Sequence, residues 1–246
     1  MCALRATGSV GSREASLRLG LASTRPQALT ISVDEKTHVS GLLQVPYEAR
    51  ACYALAHGAG AGMSHPFMAA IADGLAERGI ATLRYQFPYM ERGLRRPDAP
   101  RLAQATVRAA VVEASRLVPG YVLVAGGKSF GGRMTSQAQA VSPLPGVRGL
   151  VFLGFPLHPA GQTSNERGDH LFEIKVPMLF LQGTRDALAD IRLLQALVEQ
   201  LGARATLKLF HDVDHSFHVP ARAGRSDAEI RSQMLDAVTA WVETVV

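Results

Sequence analysis

Gly127-Lys128-Ser129-Phe130-Gly131 sets a serine between glycines, and Gly126 and Gly132 extend the pattern to a glycine pair on each side. A serine hydroxyl is a weak nucleophile until a neighbouring base takes its proton and a third group orients that base. The G-x-S-x-G spacing supplies the first half of such chemistry. It fits a sharp strand-to-helix turn that holds the serine in a strained conformation, with neighbours small enough for the chain to fold tightly beside it. The flanking residues fit that context. "YVLVAGG" (121–127) reads as a strand and "GGRMTSQAQAVS" (131–142) as a helix. A helix starting at the serine also aims its positive dipole end at charge developing there.

The base and the acid come later in the chain. "LQGTRDAL" puts Asp186 just after one strand, and "FHDVDHSFH" puts His215 just after the next. Ser129, Asp186 and His215 thus follow at the carboxyl ends of successive strands, in the order Ser, Asp, His that a nucleophile elbow requires. Asp190 reads as a solvated helix position, and Asp212 and Asp214 as turn residues. His211, His215 and His218 could instead suggest a zinc site. No helix crosses "DVDHS", however, and no H-E-x-x-H is present. The tetrahedral oxyanion needs two backbone N–H donors. Phe130 follows the nucleophile and offers one. His57-Gly58-Ala59-Gly60 offers the other, with Ala59 as the donor. A phosphate-binding reading of this glycine loop lacks both G-x-G-x-x-G and G-x-x-x-x-G-K-[ST].

These residues need a scaffold that gathers strand ends. "ALTISV" (28–33) and "VSGLLQV" (39–45) read as a hairpin. Strands are then expected at 52–57, 80–87, 121–127, 147–156, 177–183 and 205–212. They alternate with helices at 65–78, 97–118, 131–142, 189–202 and 226–246, with Asp98 as the expected N-cap of the second helix. The alternation predicts an α/β architecture, a mainly parallel eight-stranded sheet with helices on both faces. Residues 157–176 are too few for a large lid. Residues 1–27, with four arginines, one acid and no sustained apolar run, read as a flexible N-terminal tail before a single domain over 28–246.

Composition narrows the function. Of 246 residues 47% are hydrophobic and 19% charged, enough to bury a large core. The net charge is +5, but the basic residues are scattered rather than striped, so no nucleic-acid partner is implied. No apolar run is long enough to span a membrane. Two cysteines make no disulfide framework, which fits a cytoplasmic location.

Together "HGAGAGMSHPFM", "LRYQFPYMERG", "GGKSFGGRM", "GFPLHP", "LQGTRD" and "DVDHSF" resemble the small, lid-poor α/β-hydrolases described as dienelactone-hydrolase-like. That group includes a hydrolase-like subunit of the nonspecific-lethal histone acetyltransferase complex. The resemblance implies an α/β-hydrolase fold with Ser129, Asp186 and His215 as the triad, and neither cofactor nor metal. The chain departs from the family at Ser64, where an acid is frequent, and at Gln86, where asparagine is frequent. Dienelactone hydrolases proper use a cysteine nucleophile, where this chain has Ser129.

Further residues at the expected site edge read two ways. His158 either lines the pocket or fixes the turn between two prolines. Arg84 either binds a substrate carboxylate or makes a structural ion pair. Phe87, Tyr89 and Met90 form either an apolar wall or ordinary core. Lys128 is expected to face solvent and steer anionic substrates. Gly58, Gly60 and His57 let the backbone approach the substrate. The expected function is hydrolysis of a small or accessible carboxylic ester or thioester. The alternatives are an amidase or peptidase on the same triad, or a catalytically silent binding module on the same fold.

Overall fold

The computed structural model describes residues 23–245. Eight strands form one sheet: β1 (Ser23–Ser32), β2 (His38–Val45), β3 (Ala51–Ala56), β4 (Ile80–Tyr85), β5 (Val122–Lys128), β6 (Val147–Leu153), β7 (Met178–Gly183) and β8 (Ala205–Phe210). Their spatial order is β1-β2-β4-β3-β5-β6-β7-β8. β1 and β2 pair antiparallel, β2 is antiparallel to β4, and every other pairing is parallel. The helices are α1 (Pro66–Ala76), α2 (Pro88–Glu91), α3 (Pro100–Leu117), α4 (Phe130–Val141), α5 (Ile191–Leu201) and α6 (Asp227–Thr244).

Period-two alternation in the central strands feeds two cores. In β3, Cys52, Ala54 and Ala56 join the layer under α3, α4 and α5, while Ala51, Tyr53 and Leu55 join the layer under α1 and α6. Both faces are covered, so all six residues of β3 are buried. Such strands read as continuous apolar runs. α3 turns Ala103, Val107, Ala110, Val111 and Ala114 inward at helical spacing. α6 is fixed at its start by a capping box between Ser226 and Glu229.

The expected order of elements holds, with local corrections. β1 begins at Ser23, five residues before the expected start, because it extends its pairing along β2 past a register irregularity. The earlier part of the expected tail, 1–22, lies outside the described residues. β6 ends at Leu153, and the expected strand residues beyond it turn at Gly154. Asp98 does not cap α3, whose N-cap is Ala99. Its carboxylate accepts from the Tyr89 N–H (2.8 Å) and pairs with Arg92 (2.7 Å), stabilising the short α2 that the sequence did not signal. Asp190 is the N-cap of α5 rather than a solvated helix position, accepting from the N–H groups of Arg192 and Leu193. Between β6 and β7 the one helical segment is the 3-10 stretch Glu166–Glu173, and among the described residues no large lid is present. Among the described residues no helix is long and apolar enough to cross a membrane.

Parallel β3, β5, β6, β7 and β8 all end at one edge of the sheet. Their following loops converge there, where α/β sheets bind ligands.

Candidate active site

Ser129 sits between β5 and α4 with φ 49 and ψ −114, a conformation that costs a non-glycine residue on the order of 1–3 kcal/mol. The surrounding packing enforces it. A Cβ on Gly126 would lie 1.9 Å from the Val151 carbonyl oxygen, and one on Gly127 2.1 Å from that of Ala56. At Gly131 it would lie 2.5 Å from the His57 carbonyl oxygen. The glycines therefore let β5 and α4 press against β6 and the loop after β3. The Ser129 N–H donates to the Leu153 carbonyl at 3.2 Å and locks the turn.

The Ser129 hydroxyl lies 2.8 Å from His215 Nε2, and His215 Nδ1 lies 2.6 Å from Asp186 Oδ2. With the imidazole proton on Nδ1, the serine donates to Nε2 and the histidine donates to the carboxylate. The three side chains singled out in the sequence are thus within hydrogen-bond reach in one line. Asp186 has a side chain 1% exposed and is held on every side. Its Oδ2 also accepts from Gln182 Nε2 at 2.6 Å, and its Oδ1 accepts from the Leu188 N–H at 2.8 Å. Gln182 is itself fixed by accepting the Phe155 N–H at 2.8 Å.

Gln182 and Gly154 are residues that sequence reasoning missed. Gln182 was visible as the only polar side chain in "MLFLQG". Gly154, at φ +72, leaves a gap in which a Cβ would stand 3.2 Å from Lys128 Nζ, 3.5 Å from His215 Nδ1 and 3.6 Å from Asp186 Oδ2.

Lys128 does not face solvent as expected. Its ammonium folds back to donate to the His215 carbonyl at 2.6 Å and lies 5.5 Å above the Phe217 ring. Burial pushes its pKa down from 10.5 to about 8, against the opposing pull of Asp186 and Asp214. The His215 loop is pinned from its own side as well. Asp214 Oδ1 accepts from the N–H groups of Ser216 (2.8 Å) and His218 (3.0 Å). Asp214 therefore serves the turn. Asp212, in the left-handed region at φ 61, donates its N–H to Thr184 Oγ1. His218 points away to Asp227 at 2.8 Å. Among the described residues no group of His, Cys, Asp or Glu side chains is gathered to hold a metal ion.

The loop after β3 is tied down by side chains beneath it. His57 is fully buried. Its Nε2 accepts the Phe87 N–H at 3.0 Å, so Nδ1 carries the proton and donates to the Gly58 carbonyl at 2.8 Å. Burial lowers its pKa and keeps it neutral. His57 thus supports the loop and does not line the cavity. Gly58 packs against the elbow, its pro-Cβ position 3.7 Å from Ser129 Cβ. The Gly60 N–H donates to the Tyr89 hydroxyl at 3.4 Å. Phe87 and Tyr89 are buried and pack edge-on around the Phe130 ring at 5.2 and 6.4 Å. They are core that supports the loop rather than a pocket wall.

Arg84 is 2% exposed, donates to the Met63 carbonyl at 3.3 Å, and neither lines the cavity nor forms an ion pair among the described residues. Both expected roles are replaced by a prop under the loop. His158 resolves as a turn residue. Its Nε2 accepts the Asp190 N–H at 2.7 Å, and its Nδ1 donates to the Pro159 carbonyl at 2.8 Å. It fastens the loop that carries Asp186.

A cavity of about 210 Å³ opens over Ser129, bounded by Gly58, Ala59, His65, Phe67, Met68 and Ser216, with Lys128 and His215 also at its wall. It is small beside the roughly 300–1,000 Å³ of drug-sized sites. His65 and Phe67 came from the start of α1, whose sequence reads simply as an amphipathic helix.

The family model described as the alpha/beta hydrolase domain matches residues 49–243. Among solved structures the chain is similar to a dienelactone hydrolase from Anabaena variabilis, with 21% identity, TM-score 0.72, and 90% of this chain and 99% of that one covered. It is also similar to an α/β serine hydrolase without lid from Xanthomonas campestris, with 22% identity, TM-score 0.68, and coverage of 90% and 97%. An esterase from Pyrococcus furiosus aligns over 98% of both chains at 14% identity and TM-score 0.67.

Proposed function

The chain belongs to the α/β-hydrolase family, and on that premise we propose that it is a serine hydrolase that cleaves a small or accessible carboxylic ester or thioester through an acyl-enzyme on Ser129. The observation that carries this reading is the unbroken line from the Ser129 hydroxyl through His215 to buried Asp186, at 2.8 and 2.6 Å, set on a strained elbow. A side chain held in a costly conformation by surrounding glycines marks a functional position.

As Ser129 Oγ attacks the substrate carbonyl carbon, its proton passes to His215 Nε2. The carbonyl oxygen becomes an oxyanion, held by the N–H groups of Phe130 and Ala59. The α4 dipole adds to that stabilisation. His215 returns the proton to the departing alcohol or thiol as the bond to it breaks. Water then attacks the acyl-enzyme, giving its proton to His215, and Ser129 leaves with that proton restored. Asp186 holds the imidazole tautomer and stabilises the transient imidazolium. Gln182, through Asp186, and Lys128, through the His215 carbonyl, act as positioning residues.

The cavity of about 210 Å³ and the short connection between β6 and β7 favour short acyl groups over long lipid chains. A fluorophosphonate probe tests the reading. Wild type is expected to be labelled, with labelling lost in Ser129→Ala and His215→Ala. A folded wild type that stays unlabelled would favour a binding module without turnover. We also read 28–246 as one domain, for which a single cooperative unfolding transition is expected.

A further inference from the structure

The cavity over Ser129 is lopsided. Its walls come from the loop after β3, the first turn of α1, and Lys128, His215 and Ser216. Among the described residues none from the segments after β6 and β7 lines it. A substrate group that enters it therefore lies between α1 and the loop carrying His215. The two large apolar side chains of this enclosure are Phe67 and Met68. Met68 is 1% exposed and belongs to the core under α1 and α6. Phe67 is only partly buried against that core, so its ring is the one left to meet a ligand.

That ring is held from both sides. Pro66 opens α1, and His65 caps it, its Nδ1 accepting the Phe67 N–H at 3.2 Å. The approach to the helix is fixed at Met63, whose N–H donates to Gln86 Oε1 at 2.8 Å and whose carbonyl accepts from Arg84 at 3.3 Å. On its other side the Phe67 ring stacks on Phe217, with centroids 5.9 Å apart and planes within 12°. Phe217 is buried and stands edge-on to Phe210 at 6.1 Å, with the Lys128 ammonium 5.5 Å above it. Its backbone lies at φ 63, an outlier for so bulky a residue. Such strain persists where the surroundings over-determine it, and it collects at functional positions. Two residues after His215, that backbone brings the Phe217 ring under Lys128 and against Phe67. A wall seated this firmly yields little to a longer ligand, because overpacking a filled site is itself unfavourable.

We propose that Phe67, backed by Phe217, is the specificity-determining stop of this site, restricting one half of the ester to a short aliphatic group. The inference rests on Ser129 being the acyl-transfer nucleophile. It assigns the size limit to one side chain at the start of α1 rather than to the fold as a whole.

The test compares kcat/KM for paired esters in wild type, Phe67→Ala and Phe67→Leu. One arm lengthens the acyl group, 4-nitrophenyl hexanoate against 4-nitrophenyl butyrate. The other lengthens the alcohol, hexyl acetate against butyl acetate. Each ratio cancels intrinsic reactivity when compared across variants. A methylene newly accommodated in an apolar pocket is worth about four- to tenfold. The six-to-four-carbon ratio is therefore expected to rise about fifteen- to a hundredfold in Phe67→Ala, and less in Phe67→Leu. A rise in either arm supports the stop and shows which half of the ester the cavity encloses. A purely structural role would lower kcat/KM for all esters together, and ratios unchanged in both arms would overturn the proposal. Phe67→Leu carries the test if Phe67→Ala fails to fold. Wild type inactive on every ester would refute the acyl-transfer reading instead. The stop is then judged by the binding of 1-hexanol and 1-butanol, followed by ligand-observed NMR. A hexanol-to-butanol affinity ratio that rises in the variants supports it, and one that does not rise overturns it.

Discussion

Replacing Lys128 by methionine separates what this residue does for the fold from what it does for the site. The substitution keeps length and apolar contact with Phe217 while deleting the buried amine and its bond to the His215 carbonyl. Lys128 has a folded pKa of about 8 against 10.5 unfolded. Between those values the unfolded chain holds a proton that the folded chain has released. The unfolding free energy of wild type must then rise with pH across this window, and be flat in this respect below pH 8 where both states are protonated. The slope is about 1.4 kcal/mol per pH unit, or about 3 kcal/mol in all. The variant has no such term. Urea denaturation at several pH values, followed by the fluorescence of the single tryptophan, Trp241, reads the difference. Wild type minus variant should climb by about 3 kcal/mol from pH 8 to 10.5. Other alkaline titrations, such as those of buried Tyr53 and Tyr85, cancel in the subtraction. The variant's kcat should fall about tenfold, as expected for loss of one charge-assisted bond, with KM little changed. A stability difference that is flat with pH, together with wild-type kcat, would refute the argument that a buried ammonium braces the His215 loop.

Other substitutions probe the same framework. Gln182→Leu should lower kcat about tenfold and destabilise by about 2–4 kcal/mol, because it strips a bond from Asp186 and leaves the buried Phe155 N–H unsatisfied; steady-state kinetics and urea midpoints measure both. Gly154→Ala should lower kcat and the melting temperature together, since its Cβ would crowd Lys128, His215 and Asp186 at a left-handed φ; an unaffected kcat would show that the gap is dispensable. Ser226→Ala should cost about 1 kcal/mol by removing the α6 cap, with esterase kinetics unchanged.

Much of this architecture was legible because its signals are local. The apolar runs of β3 to β7, the glycines around Ser129 and the order of Asp186 and His215 each carry their meaning in a few residues. What the sequence hid depends on pairs distant in the chain. Lys128 looked solvent-facing because nothing near it in sequence predicts a carbonyl 87 residues away. Arg84 and His158 carried two readings each, and which atom they meet is decided by loop packing. Asp98 and Asp190 show the limit of capping rules. Both are helix-start residues by type, yet one caps α5 while the other was drawn away from α3 by Tyr89 and Arg92. The seating of the 3-10 segment Glu166–Glu173 on α4 was invisible, since it requires Ser136 to bind His170 across 34 residues.

The central claim is that Ser129 carries the acyl group. Mixing the protein with excess 4-nitrophenyl acetate, quenching in acid at early times and mapping the adduct by peptide mass spectrometry tests it directly. The account predicts an acetyl mass on the peptide containing Ser129, transient in wild type and absent in Ser129→Ala. Turnover of the ester with no adduct on Ser129, or undiminished turnover in Ser129→Ala, would contradict it.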